Sequence, residues 1–98
     1  MNGRNGAGGG RRPIVHFEGV AYEMDLDVVS RALVQRQVEG KFRSREDLAG
    51  LVGCSRSTVS RWLKGGGTSL RTTLDVLAAL GLDFDQVYAR REAGRPVG

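Results

Sequence analysis

Residues 45–64 constrain the fold of this chain most strongly, because they have the pattern of two short helices joined by a tight turn. Leu48, Ala49 and Val52 share one face of the first helix, at a spacing that matches helical periodicity. Gly53 follows at the position where helices often end in a left-handed residue, a conformation that costs least for glycine. The pattern therefore predicts a sharp change of chain direction at Gly53.

The second helix of this pair is expected to begin after Ser55, whose side chain can accept from the backbone N–H of Thr58 or of the residue before it. Val59, Trp62 and Leu63 form its apolar, inward face. The opposite face is polar and cationic, and consists of Ser57, Ser60, Arg61 and Lys64. A helix with hydroxyls and cations on its outer face is suited to a polar, anionic partner.

The charge of the whole chain points in the same direction. Its 98 residues carry 15 Lys and Arg against 11 Asp and Glu, a net charge of +4. Lys41 and Lys64 are the two lysines, so the other cations are arginines. Arginine suits bidentate contacts with phosphate or guanine, although GC-rich codon usage also enriches it. A chain of this length forms one small domain without a roomy active-site cavity.

Several classes of function are not expected. Cys54 and His16 are the single cysteine and histidine, so the sequence offers neither an internal disulfide nor a cluster of zinc ligands. No apolar run approaches the ~20 residues of a membrane helix, and no secretion signal is found, which favours a reducing, cytoplasmic setting. Residues 8–10 are three glycines without the strand and helix that flank a nucleotide-binding loop. We therefore expect no enzyme activity, no cofactor and no metal.

The N-terminal region has two parts. Residues 1–12 hold five glycines and the arginines Arg4, Arg11 and Arg12, and this composition predicts a disordered tail. Such a tail is either simply solvated or an arm that follows DNA phosphates or a minor groove. Residues 13–23 alternate β-branched and aromatic residues around a two-residue turn, which predicts a β-hairpin. Because an isolated hairpin is marginal in water, it must pack on the helices or pair with another chain.

Helical periodicity predicts three further helices in residues 24–90. The first runs from Asp25, with Asp25 or Asp27 as cap, to about residue 39, and its apolar stripe comprises Leu26, Val29, Leu33 and, as a further candidate, Val38. The fourth follows a flexible stop at residues 65–67, is capped by Thr68 or Ser69, and carries Leu70, Leu74, Leu77 and Leu80 on one face. The last is capped by Asp83 and contains Phe84, Val87 and Tyr88. The chain from Arg90 is expected to fray, with residues 91–98 as a disordered tail.

The resulting fold class is mostly α: five helices in a lambda-repressor-like arrangement, preceded by a short β-hairpin. With this order of helices, residues 26–88 resemble the phage-repressor/Cro-like (XRE) family of helix-turn-helix proteins. The resemblance is carried by Leu48-Ala49, by Val52-Gly53-Cys54, by STVSRWL at 57–63 and by LAALGLDFDQV at 77–87. It implies that the third helix binds in the major groove of double-stranded DNA.

The resemblance assigns roles to residues of this sequence. The residues expected at base edges are Arg56, Ser57, Ser60 and Arg61. The residues expected at phosphates are Arg43, Ser44, Arg45, Ser55, Thr58 and Lys64. Arginine can bond guanine O6 and N7 together, whereas serine discriminates less between bases.

The leading hypothesis from the sequence is a sequence-specific transcriptional regulator, acting as a homodimer that pairs through the N-terminal hairpin. A second hypothesis is a protein-interaction adaptor or antitoxin-like module, in which the hairpin adds an edge strand to a protein partner. A third is a DNA-binding accessory of a mobile element. The sequence does not separate repression from the third hypothesis.

Overall fold

The computed structural model of the chain describes residues 12–91. Within them lie three strands and five helices, in the order β1 (Ile14–Phe17), β2 (Val20–Met24), α1 (Leu26–Val38), α2 (Arg45–Val52), α3 (Arg56–Leu63), α4 (Leu70–Leu80), α5 (Phe84–Val87) and β3 (Tyr88–Arg90). The five helices and the N-terminal hairpin confirm the predicted fold class. The two predicted disordered tails lie outside the described residues, apart from Arg12 and Arg91.

Side-chain caps set where the helices begin. Asp25, rather than Asp27, caps α1, and its Oδ1 accepts from the N–H groups of Asp27 and Val28 at 3.1 and 3.3 Å. Ser69, rather than Thr68, caps α4. The same device starts α2 at Ser44 and α3 at Ser55, so the four longer helices begin where the short polar residues predicted them.

The three strands form one antiparallel sheet with β2 in the centre. The hairpin prediction is confirmed, with Glu18 and Gly19 as the two turn residues. The prediction for the C-terminal end was wrong: Tyr88 leaves the helix and Arg90 is paired, because the segment forms β3 against β2. The N–H of Arg91 also donates to the Ala21 carbonyl at 2.9 Å. A three-residue strand has too short a pattern to be read from sequence, and here the edge of β2 supplies its partners.

Four aromatic rings join the sheet to the last helix. Phe84 stacks on Tyr88 with centroids 4.6 Å apart, and Phe17 meets Tyr88 edge-on at 5.4 Å. Tyr22 completes the group, edge-on to Phe84 at 5.3 Å. The hairpin therefore packs on the helical part of the chain, which is one of the two possibilities left open by the sequence.

The core lies between α2, α3 and α4 and extends to the sheet. Leu48, Val59 and Val76 are fully buried, and Trp62 is 1% exposed. Two expected core residues lie outside it: Val38 is 77% and Leu74 is 45% exposed. The buried residues of α4 are Thr73, Val76, Leu77 and Leu80. This face is centred on Thr73 and Leu77, so Leu74 falls at its margin although it shares the leucine spacing.

The glycines after α3 form a defined helix end rather than a flexible stop. Gly65 is left-handed, at φ +83°, and its N–H donates to the Trp62 carbonyl at 3.0 Å. The N–H of Gly66 donates to the Arg61 carbonyl at 2.9 Å. A Cβ atom on Gly65 would also overlap Pro13, which lies just before β1. Gly65 therefore serves both the helix end and the close approach of the N-terminal segment.

Candidate nucleic-acid interface

The turn between α2 and α3 has the geometry that the sequence predicted. Gly53 is left-handed at φ +83°, and its N–H donates to the Ala49 carbonyl at 2.8 Å. The inward face of α3 is fixed by Val59 and Trp62, which are buried in the core. Because this face is held by packing, the opposite face of α3 presents its side chains to solvent.

Six polar residues from α2 and α3 line one open groove of about 740 Å³. They are Arg45, Arg56, Ser57, Ser60, Arg61 and Lys64. Arg45 comes from the first turn of α2, and the other five come from α3 and its C-terminal cap. The structure thus brings together all four residues predicted at bases, and two of those predicted at phosphates.

The groove is strongly cationic. Four of its six lining residues are arginine or lysine, and no carboxylate lines it. The ion pairs within residues 12–91 involve Arg12, Arg36 and Arg71, which all lie elsewhere in the fold. The four groove cations are therefore not neutralised by ion pairs in the described part of the chain. A concave surface of one charge sign focuses its field on a ligand of opposite sign.

Arg43 and Ser44 flank the groove without lining it. The Arg43 N–H donates to the Asp47 carboxylate at 3.0 Å, and its carbonyl accepts from Gln37 Nε2 at 3.1 Å. Ser44 Oγ accepts from the Asp47 N–H at 3.2 Å. These bonds fix the backbone that leads into α2. They leave the Ser44 hydroxyl proton available for another acceptor.

Ser55 and Thr58 also lie outside the groove, and their hydroxyls contact each other. Ser55 Oγ accepts from the Thr58 N–H at 3.1 Å and lies 2.8 Å from Thr58 Oγ1. Ser57 Oγ lies 3.1 Å from the same Ser55 oxygen. The three hydroxyls form a chain at the N-terminus of α3, where backbone N–H groups without intrahelical partners favour an anion. Ser55 acts first as the helix cap.

Sequence reasoning missed the part that Gly66 plays in this surface. The aliphatic stem of Arg61 lies against Gly66, and a Cβ atom there would come within 2.5 Å of Arg61 Cγ. A run of three glycines is typical of a flexible linker, so the contact of Gly66 with Arg61 was not expected. The sequence offered one indication, the spacing: a glycine five residues after Arg61 allows the chain to pass close to Arg61 at the end of the helix.

A buried polar group lies behind α3. The Tyr88 hydroxyl adjoins Trp62 and Thr73, yet neither this hydroxyl nor Trp62 Nε1 has a partner at hydrogen-bond geometry among the described residues. Burial raises the pKa of Tyr88 to about 12. The neighbouring Trp62 and Thr73 side chains lower this pKa, but by less than burial raises it. The back of the helix thus contacts the sheet through β3 as well as the helical core.

Residues 12–91 contain no group of three or more His, Cys, Asp and Glu placed to bind a metal ion. In the same part of the chain, no helix has the length and apolar character to span a membrane.

Residues 43–87 match the family model HTH_3, described as helix-turn-helix. The match runs from the loop before α2 to the end of α5 and so includes every groove-lining residue. It confirms the resemblance drawn from the sequence. No curated protein and no solved structure gave a significant match to the chain.

Proposed function

We propose that this protein regulates transcription by sequence-specific binding of double-stranded DNA. The match of residues 43–87 to HTH_3, a helix-turn-helix family of DNA-binding regulators, supports this proposal. In this proposal α3 enters the major groove. The observation that carries the proposal is the groove between α2 and α3, where four cations and two hydroxyls converge without a carboxylate. Its ligand must be anionic and must present hydrogen-bonding edges.

The groove residues divide by chemistry into two roles. Arg56 and Arg61 read guanine through O6 and N7, and each such pair discriminates by about 1–3 kcal/mol. Ser57 and Ser60 add weaker contacts to bases of either type. Arg56 lies in the first turn of α3 and Arg61 in the last, so the two arginines read different base pairs.

The phosphate contacts flank this reading face. Arg43, Arg45 and Lys64 neutralise phosphates, and Ser44, Ser55 and Thr58 donate hydrogen bonds to them. The N-termini of α2 and α3 favour phosphate for the same electrostatic reason. These contacts fix the register of α3 and contribute affinity that is independent of sequence.

We further propose that the protein binds as a homodimer paired through β1. Because the turn has two residues, Phe17 and Val20 form a hydrogen-bonded pair. Hydrogen-bonded pairs then alternate with non-hydrogen-bonded pairs along the hairpin. The 2.9 Å bond from the Met24 N–H to the Pro13 carbonyl fits this alternation. Ile14 and His16 consequently direct their backbone groups to the outer edge of β1, which is free among residues 12–91. This edge carries no charged residue, although charged side chains are a common means of preventing a sheet edge from pairing with another chain. A two-fold dimer would read half-sites about 34 Å apart.

Selection of bound sequences from random duplex DNA tests the proposal. We expect one enriched motif containing guanine and repeated with two-fold symmetry. The matched variant carries Arg56→Ala and Arg61→Ala, two exposed groove residues that contribute nothing to the core. Recovery of no motif by the folded wild-type protein would contradict the proposal. Recovery of the same motif by the double variant would contradict the assigned roles.

The free edge of β1 supports a second candidate, a protein-interaction or antitoxin-like module. In that function a partner strand, rather than a second copy, would extend the sheet. Two measurements separate the functions: complex formation with a partner protein, and sequence preference in DNA binding. A one-to-one heterocomplex that blocks β1, combined with DNA binding that shows no sequence preference, would favour the second candidate.

A further inference from the structure

Two successive glycines after α3 have different surroundings. A Cβ atom on Gly66 would lie 2.5 Å from Arg61 Cγ, 3.1 Å from the Arg61 carbonyl oxygen and 3.4 Å from Arg61 Cδ. A Cβ atom on Gly67 would meet nothing within 4 Å. Neither residue has the left-handed backbone that favours glycine. The requirement for glycine at position 66 therefore comes mainly from the Arg61 side chain, whose Cγ atom is the nearest contact.

The contact acts on the start of that side chain. Cγ follows directly after Cβ, so a substituent on Gly66 cannot be avoided by moving only the flexible end of Arg61. The backbone offers little relief, because the Gly66 N–H donates to the Arg61 carbonyl and holds the two residues together at 2.9 Å. An alanine at position 66 would force Arg61 out of its present rotamer.

From this contact we infer that Gly66 is a positioning residue for Arg61 and a determinant of base specificity. The inference rests on the proposed function and extends it to a residue that does not line the groove. Gly66 accommodates the stem of Arg61 across the end of α3, and this placement directs the guanidinium into the groove. A side chain held in its bound rotamer loses less conformational entropy on binding. Bidentate guanine recognition depends on such orientation.

Gly66→Ala and Gly67→Ala form a matched pair for testing this role. Both substitutions add one methyl group, and both restrict the unfolded chain to the same degree. Each would be made in the wild-type protein and in Arg61→Ala. Affinity would be measured for the selected duplex and for duplexes with each guanine replaced in turn, and thermal denaturation would check that every variant is folded.

The inference predicts a loss of discrimination that depends on Arg61. Complete loss of one arginine–guanine pair corresponds to about 5- to 150-fold. We expect Gly66→Ala to lose at least about fivefold of discrimination at the guanine read by Arg61, while discrimination at the other positions stays unchanged. Gly67→Ala should match wild type. In the Arg61→Ala background, Gly66→Ala should have no further effect, because its action passes through the missing side chain.

Two results would overturn the inference. One is unchanged discrimination in a folded Gly66→Ala protein. The other is an equal loss of affinity for the selected duplex with and without Arg61, which would indicate a structural effect on the helix end, including unfolding. If the wild-type protein itself selects no motif, the proposed function fails instead, so the two failures are distinguishable.

Discussion

Replacing Lys64 by glutamine tests the electrostatic part of the proposed interface. Lys64 caps α3, is exposed and lines the groove, and it forms no ion pair within residues 12–91. Glutamine keeps the polar character and much of the length of the side chain but removes its charge. The variant should fold like wild type and bind DNA with a smaller dependence on salt, because fewer counterions are released from the phosphates.

The size of the change follows from the number of cations assigned to phosphates. Arg43, Arg45 and Lys64 give six such contacts in a dimer, which predicts a slope of about −5.4 for log K against log salt concentration. Loss of Lys64 from both protomers reduces the slope to about −3.6. Between 50 and 200 mM salt, wild type should then weaken by roughly 2,000-fold and the variant by roughly 150-fold.

Fluorescence anisotropy with a labelled operator duplex over a salt series measures both slopes. Arg90→Gln is the control, because Arg90 is exposed in β3, outside the groove, and the substitution removes the same charge. Equal slopes for wild type and the Lys64 variant would refute the assignment of Lys64. An equal change in both variants would show that net charge, rather than position, determines the salt dependence.

Four further predictions concern the scaffold. Val59→Ala should lower the free energy of unfolding by about 2–3 kcal/mol, because it leaves a cavity in the core; a urea denaturation showing less than half of this would contradict the assigned packing. Gly53→Ala should cost about 1–2 kcal/mol because its φ is +83°, whereas Gly50→Ala, with open space in α2, should stabilise by up to about 1 kcal/mol; the same sign for both would refute the backbone argument. Tyr88 has a folded-state pKa of about 12, above the unfolded value of about 10, so its contribution to stability is full below pH 10 and falls as pH rises to 12; Tyr88→Phe should lose this alkaline sensitivity in thermal melts, and equal sensitivity would count against burial as its cause. His16→Pro should abolish the dimer in sedimentation while the monomer stays folded, because proline removes an N–H from the free edge of β1; a persistent dimer would place the interface elsewhere.

The features that could be predicted from the sequence are those set by local spacing. Ser55, Gly53 and Val59 each act within a few residues of their partners, so the caps, the turn and the buried face of α3 followed from the pattern. The shared face of Ser57, Ser60, Arg61 and Lys64 followed from helical periodicity in the same way, whereas Arg56 was expected beside them from the family resemblance.

The features that sequence reasoning missed depend on contacts between distant segments. β3 exists because β2 offers it an edge, and Tyr88–Arg90 carries no pattern of its own. Arg45, which the sequence predicted at phosphates, lies in one groove with the four residues predicted at bases, and no sequence pattern indicated that it would join them. Its position depends on the packing of α2 against α3, which spacing within either helix does not specify. The contact of Arg61 with Gly66 depends on a rotamer, which no sequence pattern specifies.

Replacement of guanine by 7-deazaguanine in the selected operator tests whether α3 reads guanines in the major groove. The substitution removes N7, an acceptor that duplex DNA presents only in the major groove, and leaves the Watson–Crick edge intact. At the guanine read by Arg61, we predict a loss of affinity of about fivefold or more for wild type and no loss for Arg61→Ala. Equal wild-type affinity for the two duplexes at every guanine would contradict major-groove reading by α3.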